Sequence, residues 1–278
     1  LLIIDEADRM LDMGFIPDII KINKLLPKIR QTLFFSATLS NEIRNIGKDL
    51  LINPKEILID PYSSTSANID SIFIKTNSKN KMNDLKTLLC IDIIKSAVIF
   101  CNKKADINKV STFLKKYNFK TASLHGDMEQ NLRIKSLENF KNKTVEILIA
   151  SDVAARGIDI DGLSHVFNFD VPYNPEDYVH RIGRTGRAGN KGKAYTIFDE
   201  NDNKTISSIE KLIKKKVNKM SVDELVSSVE LSNQKSLQIK ENKGKQKHKN
   251  KSKLDLLPVE NYLNFRESGK IPDFLNTK

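Results

Sequence analysis

The sequence predicts an α/β fold, in which a parallel β-sheet is covered by helices on both faces. Short apolar runs alternate along the chain with segments of helical period, such as 106–117 and 129–140. This alternation is typical of parallel sheets with helical crossovers. Apolar runs without in–out alternation, such as 147–149, indicate strands that are buried on both sides. With 278 residues, 39% of them hydrophobic, the chain has enough apolar material for one large or two small domains.

The apolar runs define the predicted strands. They lie at 1–4, 32–35, 57–59, 72–74, 97–101, 122–124, 145–150, 165–169 and 194–198. After about residue 200 no further strand is predicted. A helix is expected over 206–217, and a second short helix near Ser221, because Ser221 and Glu224 have the spacing of a capping box.

Breaks in this pattern predict the domain organisation. The polar stretch Asp60-Pro61-Tyr62-Ser63-Ser64-Thr65-Ser66 indicates a linker. We therefore expect a partial first domain over 1–59, a linker over 60–70, a complete second domain over 71–200 and a tail over 201–278. The first unit has too few strands for a two-sided sheet, so we expect it to expose apolar surface and the sequence to begin inside a domain.

The charge distribution points to an anionic partner. The net charge is +11, and residues 201–278 contribute +7 of it. The Lys-rich segment 235–253 has almost no apolar content, so we expect a basic, largely disordered tail. A basic tail favours an acidic polymer such as nucleic acid, although a solvated tail that only aids solubility is the competing interpretation.

Other function classes are excluded by composition. No run of about 18 apolar residues occurs, so a membrane span is not predicted, and the opening Leu1-Leu2-Ile3-Ile4 is too short for a signal peptide. The two cysteines, Cys90 and Cys101, cannot form a disulfide framework. They are expected to be buried reduced thiols in a cytoplasmic protein.

Two polar motifs follow predicted strands in the first unit. Asp5-Glu6-Ala7-Asp8 comes directly after the first strand, where parallel sheets bind ligands, and carboxylates there suit a hydrated cation. An acidic strand-to-helix turn is the alternative. Ser36-Ala37-Thr38 follows the second strand, and its hydroxyls are candidates to hydrogen-bond a nearby carboxylate or to cap the next helix.

Two further motifs follow strands of the second unit. In His125-Gly126-Asp127, the glycine permits a phosphate to approach backbone amides, while Asp127 with Gln130 has the spacing of a helix cap. The dense polar run from Ser151 to Asp159 is hard to explain as plain structure. Its competing explanation is an internal ion-pair network of Asp152, Arg156 and Asp159.

The segment His180-Arg181-Ile182-Gly183-Arg184-Thr185-Gly186-Arg187 is the most informative. Three arginines alternate with two glycines, and so cationic a loop would repel itself unless it faced anions. Arginine suits multidentate recognition of phosphate, and glycine permits close contact. An ordinary surface loop is the alternative.

Taken in this order, the motifs resemble those of the DEAD-box ATP-dependent RNA helicases. The resemblance covers about residues 1–200 and rests on seven ordered motifs. They are residues 5–15, 30–38, 98–101, 124–127, Gln130 with Arg133, 151–160 and 180–187. It implies two RecA-like α/β domains that bind ATP and RNA across the cleft between them.

The resemblance also implies roles for individual residues. Asp5 and Glu6 would handle water-bridged Mg²⁺, with Glu6 polarising the attacking water, and Arg184 and Arg187 would contact the γ-phosphate. The remaining implied roles are nucleotide contacts for Asp159 and Gly157; interdomain coupling for Asp8, Ser36, Thr38 and His180; and RNA-backbone contacts for Gly126, Gln130, Arg133, Ser151 and Gly157.

The sequence departs from the family pattern at one important point. No Gly-x-x-x-x-Gly-Lys-Ser/Thr phosphate loop occurs in these 278 residues, so we expect the chain alone to lack useful ATPase or unwinding activity. Ser151 stands where the family usually has Thr, which keeps the hydroxyl.

Two other functions stay open. One is a non-catalytic RNA-binding module. The other is a DNA translocase of the wider superfamily, which the Asp-Glu-Ala-Asp and His-Arg-Ile-Gly-Arg-Thr-Gly-Arg strings disfavour.

Overall fold

The computed structural model describes residues 1–58, 68–155, 160, 162–187 and 189–231. The chain divides into two compact units, Leu1–Ser64 and Thr65–Lys278. Each unit contains parallel strands with helices between them, as the alternation of apolar runs and helical segments predicts.

The first unit is built on a two-stranded parallel sheet. Its strands are β1 (Leu2–Ile4) and β2 (Thr32–Phe34), and its helices are α1 (Ala7–Asp12), α2 (Ile16–Leu25) and α3 (Asn41–Leu50). In the sheet Leu2 lies opposite Thr32 and Ile4 opposite Phe34, so both strands end at the same edge. This register places the polar motifs that follow β1 and β2 side by side.

Apolar surface is exposed in the first unit, as predicted from its small number of strands. Its buried core consists of a few residues, including Ile4, Ala7 and Leu50. In contrast, Leu25 is 86% exposed and Ile29 is 98% exposed. Helix α2 buries none of its ten residues.

The second unit contains a seven-stranded, all-parallel sheet in the order β5-β6-β4-β7-β8-β3-β9. Its strands are β3 (Ile69–Lys75), β4 (Ala97–Phe100), β5 (Thr121–Leu124), β6 (Ile147–Ala150), β7 (His165–Asn168), β8 (Gly192–Phe198) and β9 (Asn218–Ser221). Its helices are α4 (Lys81–Ile91), α5 (Lys104–Lys116), α6 (Gln130–Lys141), α7 (Asp152–Ala155), α8 (Pro175–Ile182), α9 (Asn203–Leu212) and α10 (222–231).

Both faces of this sheet are buried, which explains why its strands are apolar without alternation. Along β4, Val98 and Phe100 join a core cluster on one face, whereas Ala97 and Ile99 join a second cluster on the other. Helices α6, α8 and α9 contribute to the first cluster, and α4, α5 and α10 to the second. The predicted parallel sheet with helices on both faces is therefore confirmed.

Two strand predictions were wrong. Strand β9 lies at Asn218–Ser221 and pairs with β3, so the sheet does not end near residue 200. Its sequence, Asn-Lys-Met-Ser, has no apolar run, because an edge strand that is half exposed needs little apolar content. Residues 57 and 58 belong to no strand, and residue 59 lies outside the described residues.

The helices near the end of the second unit agree in part with the sequence. Helix α9 covers Asn203–Leu212 rather than 206–217. The capping box at Ser221 is confirmed, since the Ser221 backbone N–H donates to Glu224 Oε2 at 2.7 Å and the Glu224 N–H donates to Ser221 Oγ at 3.2 Å. The Lys-rich tail predicted from residue 235 lies outside the part of the chain that the structure describes.

The structure also bears on the expectations about the cysteines and about a membrane span. Cys90 and Cys101 are free and buried, as predicted. No helix that the structure describes is both long enough and apolar enough to cross a membrane.

Candidate nucleotide and RNA site

The acidic motif of the first unit forms a tight turn between β1 and α1. Strand β1 ends at Ile4, Asp5 is exposed, and α1 begins at Ala7. Glu6 adopts left-handed backbone angles, with φ 51° and ψ 47°, and its N–H donates to Asp5 Oδ1 at 2.9 Å. The backbone therefore turns sharply at Glu6, and Asp5 and Glu6 both lie at the carboxyl end of β1.

The third acid of this motif is held by the hydroxyl motif that follows β2. Asp8 is only 7% exposed, and its Oδ2 accepts hydrogen bonds from the Thr38 N–H at 3.0 Å and from Thr38 Oγ1 at 3.2 Å. Ser36 Oγ donates to the Thr38 carbonyl at 2.7 Å. The prediction that a hydroxyl of this motif meets a carboxylate is confirmed for Thr38 but not for Ser36, and Ser40 is the residue that caps α3.

The donor set of this turn suits a hydrated Mg²⁺ ion. Mg²⁺ keeps several waters and is usually bound through one or two carboxylates. Asp5 and Glu6 supply two carboxylates at a strand end, while Asp8 is already engaged with Thr38. Among the described residues, no group of three His, Cys, Asp or Glu side chains is arranged to hold a metal directly. The carboxylates of Asp5 and Glu6 therefore suit contact with Mg²⁺ through water molecules.

The second unit gathers polar residues at the carboxyl edge of its sheet. Asn102 follows β4, Ser151 and Asp152 follow β6, and Asp170 follows β7, and these three strands are neighbours in the sheet. Asn102 and Asp170 were not predicted as site residues, although both come directly after a predicted strand, which is the signal that identified the other motifs.

Arg181 corrects the interpretation of the cationic segment. It is buried, at 1% exposure, and does not face outward. Its Nε and Nη2 donate to the two Asp152 carboxylate oxygens, each at 2.7 Å. The ion pair therefore joins Asp152 to Arg181, which the sequence-based network of Asp152, Arg156 and Asp159 did not include. Arg156 and Asp159 lie outside the described residues.

The other cationic residues of this segment follow α8. Arg184 is half-buried, Arg187 is exposed, and His180 is half-buried on the last turn of α8. Arg187 Nε donates to the Gly183 carbonyl at 2.5 Å. This bond holds the Arg187 side chain against the end of α8.

Close packing fixes this loop against the sheet. Thr185 is buried, and its hydroxyl donates to the Leu163 carbonyl. Gly186 has φ 69°, and a Cβ there would lie 2.5 Å from Ile69 Cγ1. A Cβ on Gly192 would clash with Thr185 Oγ1. Packing therefore requires glycine at both positions.

The motif after β5 differs from its prediction in one respect. Asp127 does not cap the following helix; Glu129 is the residue before α6, without a side-chain hydrogen bond. The side chain of Asp127 is paired with Lys104 instead, and this hydrogen bond lowers the Asp127 pKa. Gly126 is exposed, and a Cβ added to it would have no neighbouring atom within 4 Å. The backbone there is open to a ligand.

Three other predicted RNA-contact residues, Gln130, Arg133 and Ser151, lie near this motif. Gln130 is exposed and Arg133 is half-buried on the first turn of α6, with Arg133 Nη1 at 3.5 Å from Gln130 Oε1. The Ser151 N–H donates to the Leu124 carbonyl at 3.3 Å, which joins the end of β6 to the end of β5. Gly157 and Asp159 lie outside the described residues.

Comparisons with known proteins agree with these observations. The family model "DEAD/DEAH box helicase" matches residues 1–46, and "Helicase conserved C-terminal domain" matches residues 80–189. The DEAD-box ATP-dependent RNA helicase CshA of Bacillus licheniformis is 39% identical over 228 residues, which are 82% of this chain and 47% of the relative. The chain thus spans about half the length of the curated relatives it matches.

Solved structures agree as well. Saccharomyces cerevisiae Dbp5 bound to RNA and ADP BeF3 is similar with a TM-score of 0.74 and 30% identity, over 82% of this chain and 61% of that one. The Escherichia coli DEAD-box protein SrmB is similar with a TM-score of 0.53 and 31% identity, over 56% of this chain and 93% of that one.

The seven-stranded parallel sheet, with these motifs at its carboxyl edge, is that of a RecA-like helicase domain, as predicted. This chain belongs to the DEAD-box RNA helicase family. The order of motifs along the sequence was therefore sufficient to identify the family.

Proposed function

We propose that this chain is part of an ATP-dependent RNA helicase, in which RNA-stimulated ATP hydrolysis drives local separation of RNA duplexes. The observation that carries the proposal is the arrangement around Asp8. Its two hydrogen bonds from Thr38 join the two motifs of the first unit and leave Asp5 and Glu6 at the strand edge. The names of the CshA relatives supply the activity and the substrate class.

On the nucleotide side, Asp5 and Glu6 hold Mg²⁺ through water. Glu6 orients and polarises the attacking water, and Arg184 and Arg187 neutralise charge on the γ-phosphate. Phosphoryl transfer depends mainly on positioning and charge neutralisation, which carboxylates with a hydrated cation and arginines provide. Asp159 and Gly157 contribute nucleotide contacts in the same proposal.

RNA contacts fall to the motifs after β5 and β6. Gly126 and Gly157 permit close approach of the RNA backbone, and Gln130, Arg133 and Ser151 supply hydrogen bonds. Contacts to phosphates and 2′-hydroxyls give a preference for RNA without reading its sequence. The basic tail adds electrostatic affinity.

Coupling between the nucleotide and RNA is assigned to four residues. They are Asp8, Ser36, Thr38 and His180. Support comes from the bonds of Ser36 and Thr38, because a change at either hydroxyl reaches the Asp8 carboxylate within a few ångströms. The free buried thiols support a cytoplasmic location, where thiols are kept reduced.

These 278 residues alone are proposed to be inactive as an ATPase. They contain no Gly-x-x-x-x-Gly-Lys-Ser/Thr loop to hold the β- and γ-phosphates. In a single-turnover assay with radiolabelled ATP, we expect no release of phosphate above the blank, with or without RNA. RNA-stimulated hydrolysis by the purified chain would overturn this part of the proposal.

RNA binding is tested directly on the same chain. A short labelled single-stranded RNA is titrated by fluorescence anisotropy, alongside DNA of the same sequence. We expect RNA to bind more tightly, because the proposed contacts include 2′-hydroxyls. Equal affinity for RNA and DNA would favour the DNA translocase. The RNA-binding module would be favoured if a longer chain that carries a phosphate loop bound RNA but had no ATPase or unwinding activity.

A matched pair of double variants locates the contact. Gln130→Ala with Arg133→Ala should weaken RNA binding by about tenfold, since phosphate and polar contacts are lost. Asn131→Ala with Lys135→Ala removes one amide and one positive charge from exposed positions of the same helix. Equal losses from the two pairs would contradict the assignment.

A further inference from the structure

Arg181 is bonded through its whole guanidinium group at the carboxyl edge of the second unit. Besides the two bonds to Asp152, its Nη2 donates to Asn102 Oδ1 at 2.7 Å. Its Nη1 donates to the Asp170 carbonyl at 2.7 Å and lies 3.5 Å from Asn168 Oδ1. A guanidinium has five N–H donors, and these partners account for all of them. Arg181 therefore has no donor left for a phosphate.

The partners of Arg181 lie at the ends of three adjacent strands. Asn102 follows β4, Asp152 follows β6 and Asp170 follows β7. Arg181 itself comes from α8, and its guanidinium carbon lies 5.2 Å from the centre of the Phe100 ring. One side chain thus ties a helix to three strand ends.

Two loops with proposed ligand contacts begin at this ion pair. Ser151, assigned to RNA, immediately precedes Asp152. Arg184, assigned to the γ-phosphate, lies three residues beyond Arg181. Each carboxylate oxygen of Asp152 accepts a hydrogen bond from Arg181. Because Asp152 is the first residue of α7, α7 cannot rotate there without breaking a bond to α8.

We propose that Arg181 is a positioning residue that connects the RNA loop after β6 to the arginine loop after α8 within the second unit. This inference rests on the proposed function of the two loops. RNA that orders Ser151 restrains Asp152, Asp152 restrains Arg181 through a planar two-bond contact, and Arg181 restrains the backbone that carries Arg184 and Arg187. A lysine cannot replace it, because an ammonium group lacks the planar fork.

A purely structural role is the alternative, and a second ion pair supplies its control. Lys81 Nζ lies 2.5 Å from Asp170 Oδ1, and both side chains are largely buried, at 22% and 18% exposure. This pair lies at the same sheet edge but joins neither loop to the other. Asp170 also accepts a bond from Arg181 through its backbone carbonyl, but Lys81→Met leaves both bonds from Arg181 to Asp152 in place. This variant therefore reports the effect of losing a partly buried ion pair at the same edge.

The experiment combines hydrogen exchange and RNA binding on the full 278-residue chain. In the wild-type chain, we expect single-stranded RNA to slow amide exchange at both 151–155 and 183–187. In Arg181→Lys, exchange without RNA should rise by about tenfold in both segments, and added RNA should protect 151–155 alone. RNA affinity should fall about fivefold in Arg181→Lys and stay within about twofold in Lys81→Met.

The outcomes separate the inference from the proposed function. If Arg181→Lys and Lys81→Met change RNA affinity and loop exchange in proportion to their loss of Tm, Arg181 is only structural and the inference fails. It also fails if RNA still protects 183–187 in Arg181→Lys. If the wild-type chain binds no RNA, the proposed function fails. The inference is then decided by exchange without RNA: it holds if Arg181→Lys loosens both segments more than its loss of Tm explains, judged against Lys81→Met, and it fails otherwise.

Discussion

Thr38 donates two hydrogen bonds to a single oxygen of Asp8, one from its backbone N–H at 3.0 Å and one from its hydroxyl at 3.2 Å. The other Asp8 oxygen accepts from the Arg9 N–H at 3.0 Å. Thr38 and Asp8 are thirty positions apart in the chain. Asp8 thus connects the first turn of α1 to the loop that follows β2.

The Thr38 hydroxyl is expected to stabilise the first unit. Thr38→Val removes one of the two bonds to a buried carboxylate, and we expect a loss of about 1–2 kcal/mol in the opening free energy of α1. Hydrogen exchange of the Arg9 amide measures it. Thr38→Ser keeps the hydroxyl and is the control. Equal exchange in Thr38→Val and Thr38→Ser would show that the hydroxyl contributes nothing.

Two glycines with similar backbone angles should respond differently to substitution. Gly186 has φ 69° and Gly189 has φ 78°, so alanine at either position costs about 1 kcal/mol in backbone strain. A Cβ added at Gly186 would lie 2.5 Å from Ile69 Cγ1. A Cβ added at Gly189 would have no neighbouring atom within 4 Å. We therefore expect Gly186→Ala to lower the free energy of unfolding by about 3 kcal/mol and Gly189→Ala by about 1 kcal/mol. Urea denaturation followed by circular dichroism compares them.

A second polar cluster lies at the opposite, amino-terminal edge of the second unit. Asp92 accepts hydrogen bonds from Lys193 Nζ at 2.6 Å and from Tyr195 Oη at 2.5 Å, and its Oδ2 lies 3.5 Å from His165 Nε2. Burial alone would raise the Asp92 pKa, but the contact with His165 and the hydrogen bonds from Lys193 and Tyr195 outweigh it and leave the pKa well below its usual value. Burial, and then the Asp92 charge, raise the Tyr195 pKa.

This cluster should make stability depend on pH in acid. Because the pKa of Asp92 is lower in the folded chain, its contribution is fully present above the unfolded value of about 4 and is lost as pH falls below that value. We expect Asp92→Asn to lose about 2 kcal/mol at about pH 6, and the difference from the wild type to shrink steadily as the pH falls below about 4. Unfolding free energies at several pH values test this. Glu138→Gln, at an exposed position, should follow the wild-type curve, and parallel curves for Asp92→Asn and wild type would refute the role of Asp92.

The buried thiols should resist alkylation in the folded chain. Burial raises the pKa of Cys90 to about 12, and burial also raises that of Cys101 well above its ordinary value. At about pH 8 both stay protonated, and the thiolate is the reactive form. Mass spectrometry after iodoacetamide treatment should detect no label on the native chain and a label on both cysteines in denaturant. Labelling of the native chain at the rate of a free thiol would contradict this burial.

Much of the candidate site was predictable because its chemistry is local in the chain. Polar residues that directly follow apolar strands identified Asp5, Ser36, Thr38 and Ser151, since parallel strands end at a common edge. The roles of these residues in binding nucleotide and RNA stay predictions.

Other features could not be read from local patterns. Strand β9 carries no apolar run, because it needs only one neighbour, β3, and is half exposed. Asp127 has cap spacing, yet Lys104, twenty-three positions earlier, takes its carboxylate. In both cases a partner distant in sequence decides the outcome.

The sequence by itself determined the fold class, the family and the order of the polar motifs, because hydrophobic periodicity and short motifs are properties of neighbouring residues. Only the tertiary structure decided which charged residues meet each other. Arg181 shows the difference. Its segment indicates phosphate binding, but its five donors lie at the ends of β4, β6 and β7, against Asp152, Asn102, Asn168 and backbone. The direction of a side chain depends on the helix that carries it, and that helix is oriented by the packing of residues far away in the chain.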